Sequence, residues 1–257
     1  MKKYFIVICK ILPYLIYSYF SWILPYSRHP EKYEAELRFK KAQILIRKVL
    51  KAFRTTFNEI NFDKFNSEGR KDQSRFIVCN HISDCDPLLF IALSTKPVTF
   101  VAKKETRKFL FVGRIIRALG GEFLDRSDLK QELRVFINIR KRMISEPNVD
   151  WVIFPEGTRN KTDILNVQEF KNGAFKYAMK AEAPIYIFSI LGSQRILDIK
   201  CKNKYYPVQI KLNKVITKED YQNLSTVEVS SISHEACDNG VKEMSKFDED
   251  MVYTLNN

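Results

Sequence analysis

One of the chain's three histidines stands in "NHISDCD" (80–86), five residues ahead of an aspartate. An imidazole can take a proton from an attacking hydroxyl, and a carboxylate behind it can hold the ring in the right tautomer. His81 and Asp86 have the residue types for that pairing if the intervening loop folds back. The same two residues also fit a polar loop position and a helix cap. Pro87 suits the first turn of a helix over 87–94 and makes Asp86 the expected N-cap. A second concentration of chemistry is "FPEGTRN" (154–160), after the apolar run "DWVIF". Arg159 offers a planar guanidinium able to grip a phosphate at two points. A local surface ion pair between Glu156 and Arg159 is the alternative. Lys103 and Lys104 in "AKKE" and Arg126 in "GGEFLDRS" place further cations near two other strand ends.

The hydrophobic pattern supplies elements that would carry these residues. Short apolar runs at 75–79, 97–102, 121–124, 151–154, 184–190 and 207–213 predict strands. Helical patterns occupy 87–94, 106–119, 128–145 and 171–181. Their alternation predicts an α/β fold, a mainly parallel central sheet flanked by helices, over a domain at 61–217. In such sheets chemistry gathers at the carboxyl ends of strands, where both motifs lie. Residues 218–257 are polar and are expected to form a peripheral or partly disordered tail.

Residues 1–60 read as an N-terminal membrane-associated helical segment. Positions 11–27 carry no charge, and Tyr17, Tyr19, Trp22 and Tyr26 are types that settle at a membrane–water interface. The run is short for a span and Pro13 interrupts it; a buried core helix is the other reading. In 31–57, Ala42, Leu45, Ile46, Val49, Ala52, Phe53 and Phe57 share one helical face, and Lys40, Lys41, Arg47, Lys48, Lys51 and Arg54 share the opposite one. Such a helix docks on an anionic membrane, packs on the domain, or does both. A net charge of +13 favours an anionic partner. The five cysteines form no C-x-x-C pair, so neither a metal site nor a disulfide framework is expected. No basic–aromatic nucleic-acid module appears, and nucleic acid is not an expected partner.

In order and separation, "NHISDCD", "FLDR" and "FPEGTR" resemble the sequence blocks of the lysophosphatidic acid acyltransferases. That family lies within the glycerophospholipid acyltransferase superfamily, marked by N-H-x-x-x-x-D. The resemblance runs from residue 75 to residue 191. The family's fourth block, V-P-I-x-P, reads "APIYI" here: Pro184 is kept and Ile187 replaces the second proline.

The resemblance implies transfer of a fatty acyl group from a thioester to the hydroxyl of lysophosphatidic acid, giving phosphatidic acid. The donor would be acyl-CoA or an acyl carrier protein thioester, a co-substrate, with no cofactor and no metal. His81 would be the general base and Asp86 its orienting carboxylate, with Asn80 and Ser83 supporting the motif. Arg159, helped by Arg126, Lys103 and Lys104, would hold the acceptor phosphate, while Glu156, Gly157 and Thr158 shape the acceptor pocket. Implied partners are membrane lipids, the lysophospholipid acceptor and the acyl donor. The implied place is the cell membrane, with the catalytic domain facing the cytoplasm. Thiolates leave readily, so direct attack needs no acyl-enzyme; Cys85, at a variable motif position, raises that rival route. A related reaction on glycerol 3-phosphate or another lysophospholipid, and a non-catalytic basic membrane-binding protein, remain open at this point.

Overall fold

Side chains that alternate along each short strand face opposite sides of one sheet. Phe76 and Val78 enter one apolar cluster while Ile77 and Cys79 enter the other, and Trp151 and Ile153 alternate with Val152 in the same way. Both faces are therefore covered, as a largely parallel sheet requires. The computed structural model describes residues 2–68, 73–125, 127–198 and 200–256, with side chains from residue 9 onward.

In chain order, α1 (Lys2–Ser18), a π-helical turn (Tyr19–Ile23), α2 (Leu24–Arg28) and α3 (Ala35–Ala52) precede β1 (Thr55–Ile60) and α4 (Phe62–Ser67). Next come β2 (Phe76–Cys79), α5 (Asp86–Leu93), β3 (Val98–Lys103), α6 (Val112–Ala118), β4 (Glu122–Leu124), α7 (Leu129–Ser145) and β5 (Asp150–Ile153). Then follow α8 (Lys176–Ala181), β6 (Ile185–Leu191), α9 (Gln194–Leu197), β7 (Tyr206–Ile216), α10 (Lys218–Tyr221) and α11 (Thr226–Asn256). The sheet runs β1-β7-β6-β2-β5-β3-β4. Every neighbouring pair is parallel except β6 with β7. Apolar residues of α3 and α5, with Trp22 and Ile23, cover one face; those of α7, α8 and α11 cover the other.

A buried ion pair aligns the two strands that carry the motifs. Arg75, just before β2, bonds through its amide to Asp150 Oδ1 at 3.0 Å and through Nε to Oδ2 at 3.0 Å. Its guanidinium lies 3.7 Å from the Phe65 ring centroid. Burial raises the Asp150 carboxyl against the pull of Arg75. A pair so placed costs desolvation, and removing either partner would strand the other charge.

Three expectations change on contact with the structure. The helix over 106–119 divides into a 3-10 turn (Lys104–Lys108) and α6. A Cβ at Gly113 would meet the Arg107 carbonyl oxygen at 2.6 Å, so the two pieces meet too closely for any larger residue. The helix within 31–57 ends at Ala52; Arg54 adopts a left-handed φ of 57°, and β1 follows as the edge strand beside β7. Residues 218–257, expected as a loose tail, contain α10 and the 31-residue α11. α11 buries Val229, Cys237, Val241 and Met244 against the sheet. The basic helix α3 packs on the domain through buried Ala42, Leu45, Ile46 and Leu50, while Lys40, Lys41, Arg47, Lys48 and Lys51 are exposed, as is Arg54 beyond its end. Among the described residues no helix is long and apolar enough to cross a membrane.

Candidate active site

β2 and β5 lie side by side, so the loops at their carboxyl ends meet. The first loop begins at Asn80, which is buried and bonded in both directions to β6. Its Nδ2 donates to the Ile190 carbonyl at 2.9 Å, and its Oδ1 accepts from the Ile190 amide at 2.8 Å. This pairing extends the sheet by one side chain and fixes where the chain leaves β2.

His81 follows, and the loop does fold back. Its Nδ1 lies 2.7 Å from Asp86 Oδ2. The same carboxylate oxygen accepts the amides of Ile82 at 2.8 Å and Ser83 at 2.9 Å, while Oδ1 accepts the Ser193 hydroxyl. Asp86 is fully buried and His81 is 19% exposed at its side chain. Asp86 is thus the first residue of α5, turned back onto its own loop, and does not cap the helix from outside; Cys85 holds the N-cap position without a side-chain cap bond. Ser83 Oγ accepts the Cys85 amide at 3.1 Å and tightens the same loop.

With Nδ1 donating to a carboxylate, the Nε2 lone pair is the ring's acceptor. The imidazole stacks on Phe154 at 4.3 Å between centroids and 23° between planes. One nitrogen is held and one face is covered.

The second loop grips the backbone of the first. Glu156 Oε1 accepts the His81 amide at 2.6 Å, and the Asn160 amide donates to the His81 carbonyl at 2.7 Å. Burial pushes the Glu156 carboxyl up to about 7, against the amides of His81 and Gln168, with Asp86 adding repulsion. Gly157 sits at a φ of 71°, where its amide donates to the Phe154 carbonyl at 3.0 Å; the turn needs that left-handed position. Thr158 is exposed at its crest. Glu156 therefore holds His81 from inside the fold and forms no surface ion pair with Arg159.

Arg159 reaches across to the first loop and pairs with Asp84; the two side chains are 34% and 65% exposed. Lys104 pairs with Asp125 at 2.6 Å, and its ammonium, then the Ser127 hydroxyl, pulls the Asp125 carboxyl down to about 2. Lys103 is exposed at the end of β3. Arg126 lies outside the described residues. His81, Asp86, Asn80, Ser83, Glu156, Gly157 and Arg159 are gathered by these contacts, whereas the Lys104 contact is with Asp125. Cys85 is 3% exposed and packed in the apolar cluster of α3 and α5. A thiol so packed is shielded from an incoming thioester, which weakens the acyl-enzyme route.

Four contributors were not singled out from the sequence. Phe154 and Asn160 stand within the quoted "FPEGTRN", and Asp84 within "NHISDCD". Ser193 follows β6 and reaches Asp86 from 107 positions away, with no local spacing to announce it.

Comparison with known proteins gives a consistent picture. The acyltransferase family model matches residues 62–191, half of the chain. A Mycoplasma pneumoniae protein named as a probable 1-acyl-sn-glycerol-3-phosphate acyltransferase is 28% identical over 240 residues, covering 86% of this chain and 85% of its own length. A 1-acyl-sn-glycerol-3-phosphate acyltransferase from Saccharomyces cerevisiae is 31% identical over 124 residues, 48% of this chain and 41% of its own. The crystal structure of the 1-acyl-sn-glycerophosphate acyltransferase of Thermotoga maritima shares the fold, with a TM-score of 0.66 at 23% identity over 93% of this chain and 98% of that one.

Proposed function

The chain belongs to the acyltransferase family, and we propose that it transfers a fatty acyl group from a thioester to the free hydroxyl of lysophosphatidic acid, giving phosphatidic acid. The observation that carries this reading is the 2.7 Å His81–Asp86 contact beside the reach of Arg159. The acceptor specificity is drawn from the names of the relatives.

An alcohol attacks a thioester slowly at neutral pH unless a base removes its proton during the attack. In this reading the acceptor hydroxyl sits at His81 Nε2 and gives up its proton as its oxygen bonds the acyl carbon. The imidazolium that forms is stabilised by Asp86, whose Oδ1 is already held by Ser193. The carbon–sulfur bond breaks as the tetrahedral intermediate collapses, the proton passes from His81 to the departing thiolate, and a free thiol leaves. Arg159 releases Asp84 and binds the acceptor phosphate, which offers more charge and two oxygens to the planar fork. Glu156, Gly157 and Thr158 form the wall behind that phosphate. Lys103, Lys104 and Arg126 would add positive potential at the same end of the sheet.

Membrane attachment would come from residues 11–27 and the exposed basic face of α3, with the domain on the cytoplasmic side. The test is direct. Purified protein is incubated with lysophosphatidic acid or glycerol 3-phosphate, each with acyl-CoA or acyl carrier protein thioester, and products are identified by mass. Phosphatidic acid from the first acceptor is the expected outcome. Acylation of glycerol 3-phosphate alone would move the assignment to that acceptor, and the productive thioester identifies the donor.

A further inference from the structure

Beside β4, separated from β2 by two strands in the sheet order, a cavity of about 410 Å³ opens among α2, α6, β4 and α7. Its walls include Arg28, Arg107, Arg117 and Arg142 against one carboxylate, Glu122. Arg142 is engaged: it bonds Glu146 at 2.9 Å and the Gly120 carbonyl, and approaches Glu122 at 3.9 Å. Among the described residues, no side-chain hydrogen bond or ion pair engages the guanidinium of Arg28, Arg107 or Arg117. Burial pushes Arg117 down, and repulsion from Arg107 and Arg114 adds to it. Like charges gathered in one hollow repel one another unless an anion joins them.

A smaller adjoining hollow shares Arg107 and Arg117 and adds Lys108, Arg114, Phe109 and Leu110. Phe109 is 63% exposed and Leu110 57%, high values for large apolar side chains. Phe111 behind them meets the Tyr19 ring at 5.4 Å, and Arg114 lies 5.6 Å from that same ring. Tyr19 directly follows α1, whose Leu12, Ile16 and Tyr17 are also exposed. The hollow thus joins unpaired guanidiniums to a bare apolar rim that continues onto the N-terminal helices. Its size lies within the usual range for small-ligand sites.

We propose that this arginine-lined hollow binds the phosphate of an anionic phospholipid headgroup, with the lipid chains lying along Phe109 and Leu110. Guanidiniums match phosphate geometry and are weakly hydrated, so Arg107 and Arg117 give up little on meeting it. The exposed apolar rim favours a lipid over a free phosphate as the source. Among the described residues, no hydrogen bond or ion pair joins the arginines of the hollow to His81, Asp86 or Arg159.

The experiment uses the full chain and reads partition, not turnover. Binding to phosphatidylcholine vesicles with and without phosphatidylglycerol is measured for the natural protein, an Arg107→Gln/Arg117→Gln variant, and a Lys176→Gln/Lys180→Gln variant. The last loses equal charge from exposed positions of α8, on the other face of the sheet. At about 1 kcal/mol per cation near an anionic surface, the hollow variant should lose roughly thirtyfold in binding to phosphatidylglycerol vesicles. The α8 variant should lose severalfold less. Equal losses from both pairs, or none from the hollow pair, would overturn the proposal. Calorimetry with inorganic phosphate separates the sources: saturable phosphate binding lost in the hollow variant, with vesicle binding unchanged, would overturn the lipid assignment. Thermal melts accompany each variant, and Arg107→Glu alone, at an exposed position, repeats the test if the double variant is unstable.

Discussion

At the His81 corner of the site, the loop is held from several sides at once. Asp86 takes four donors and is fully buried, and both backbone groups of His81 are held by the second loop. At the Arg159 corner, a single ion pair joins two partly exposed side chains from two loops. In the proposed reaction the proton-transfer end would thus be fixed before substrate arrives, while the proposed phosphate end is held by a contact that a better anion can replace. Pre-organisation is most useful where atoms react, because geometry there enters the barrier directly. An exchangeable contact suits the end that must capture and release a charged substrate.

Breaking the fixed corner should have the largest effect. His81→Ala is expected to lower turnover roughly a hundred- to ten-thousand-fold, the usual worth of a positioned general base. Melting temperature should stay near that of the natural protein, since Asp86 keeps three of its donors. Near-natural turnover would remove His81 from the mechanism.

The next contrast concerns Glu156, whose raised carboxyl makes the fixed corner pH-sensitive. Its folded value, about 7, lies above the ordinary 4.5, so the folded state holds the proton more tightly. Stability from this group therefore falls as pH rises from 4.5 through 7, and the cost is full above that. Glu156→Gln removes the titration and keeps an acceptor for the His81 amide. It should match the natural protein in acid and exceed it in alkali by up to roughly 3 kcal/mol. Chemical denaturation on both sides of neutrality measures the difference, and parallel curves would contradict it.

On the exchangeable corner, Arg159→Ala should cost roughly ten- to hundredfold in kcat/KM with the phosphate-bearing acceptor, from a charge-assisted bond of about 1.5–3 kcal/mol. Arg159→Lys should restore only part of this, because an ammonium lacks the planar fork. Equal losses with an acceptor lacking phosphate would point to a structural role. The smallest effect belongs to Asp84→Asn, which weakens an exposed pair worth about 0.2–1 kcal/mol. Acceptor KM should fall by up to about fivefold with kcat unchanged. A rise in KM would mean that Asp84 aims Arg159 and does not compete for it.

The legible and hidden parts of the molecule divide by sequence distance. His81 and Asp86 lie on one strand–loop–helix unit, so their spacing and Pro87 were enough to suggest the pair. Strands β2 to β7 were legible because each holds a short apolar run, as a sheet covered on two faces demands. Ser193 was invisible, since its contact depends on β6 lying beside β2. α11 was misread as loose tail because small and polar residues interrupt its buried stripe. Val229, Ser233, Cys237, Val241, Met244 and Asp248 do fall at helical spacing and are buried. Gly240 belongs with them: a Cβ there would meet the Asn213 side chain at 2.1 Å, so the helix lies too close for anything larger. β1 was hidden at the end of a convincing helix pattern, where only the turn at Arg54 separates the two.

The parallel pairing of β1 with β7 has a consequence for how each copy is made. Asn58 and Gln209, bonded across that pair, are 151 positions apart. During synthesis residues 11–27 leave the ribosome early, while the partner of β1 is still untranslated, and α11 emerges later still. Both motifs are then outside before the strand and helix that complete the sheet. Such long-range closure is slow and leaves β1 without its neighbour in the meantime. A chain made in this order presents residues 11–27 first and closes its sheet last, so whatever that apolar segment meets, it meets before the candidate site is complete.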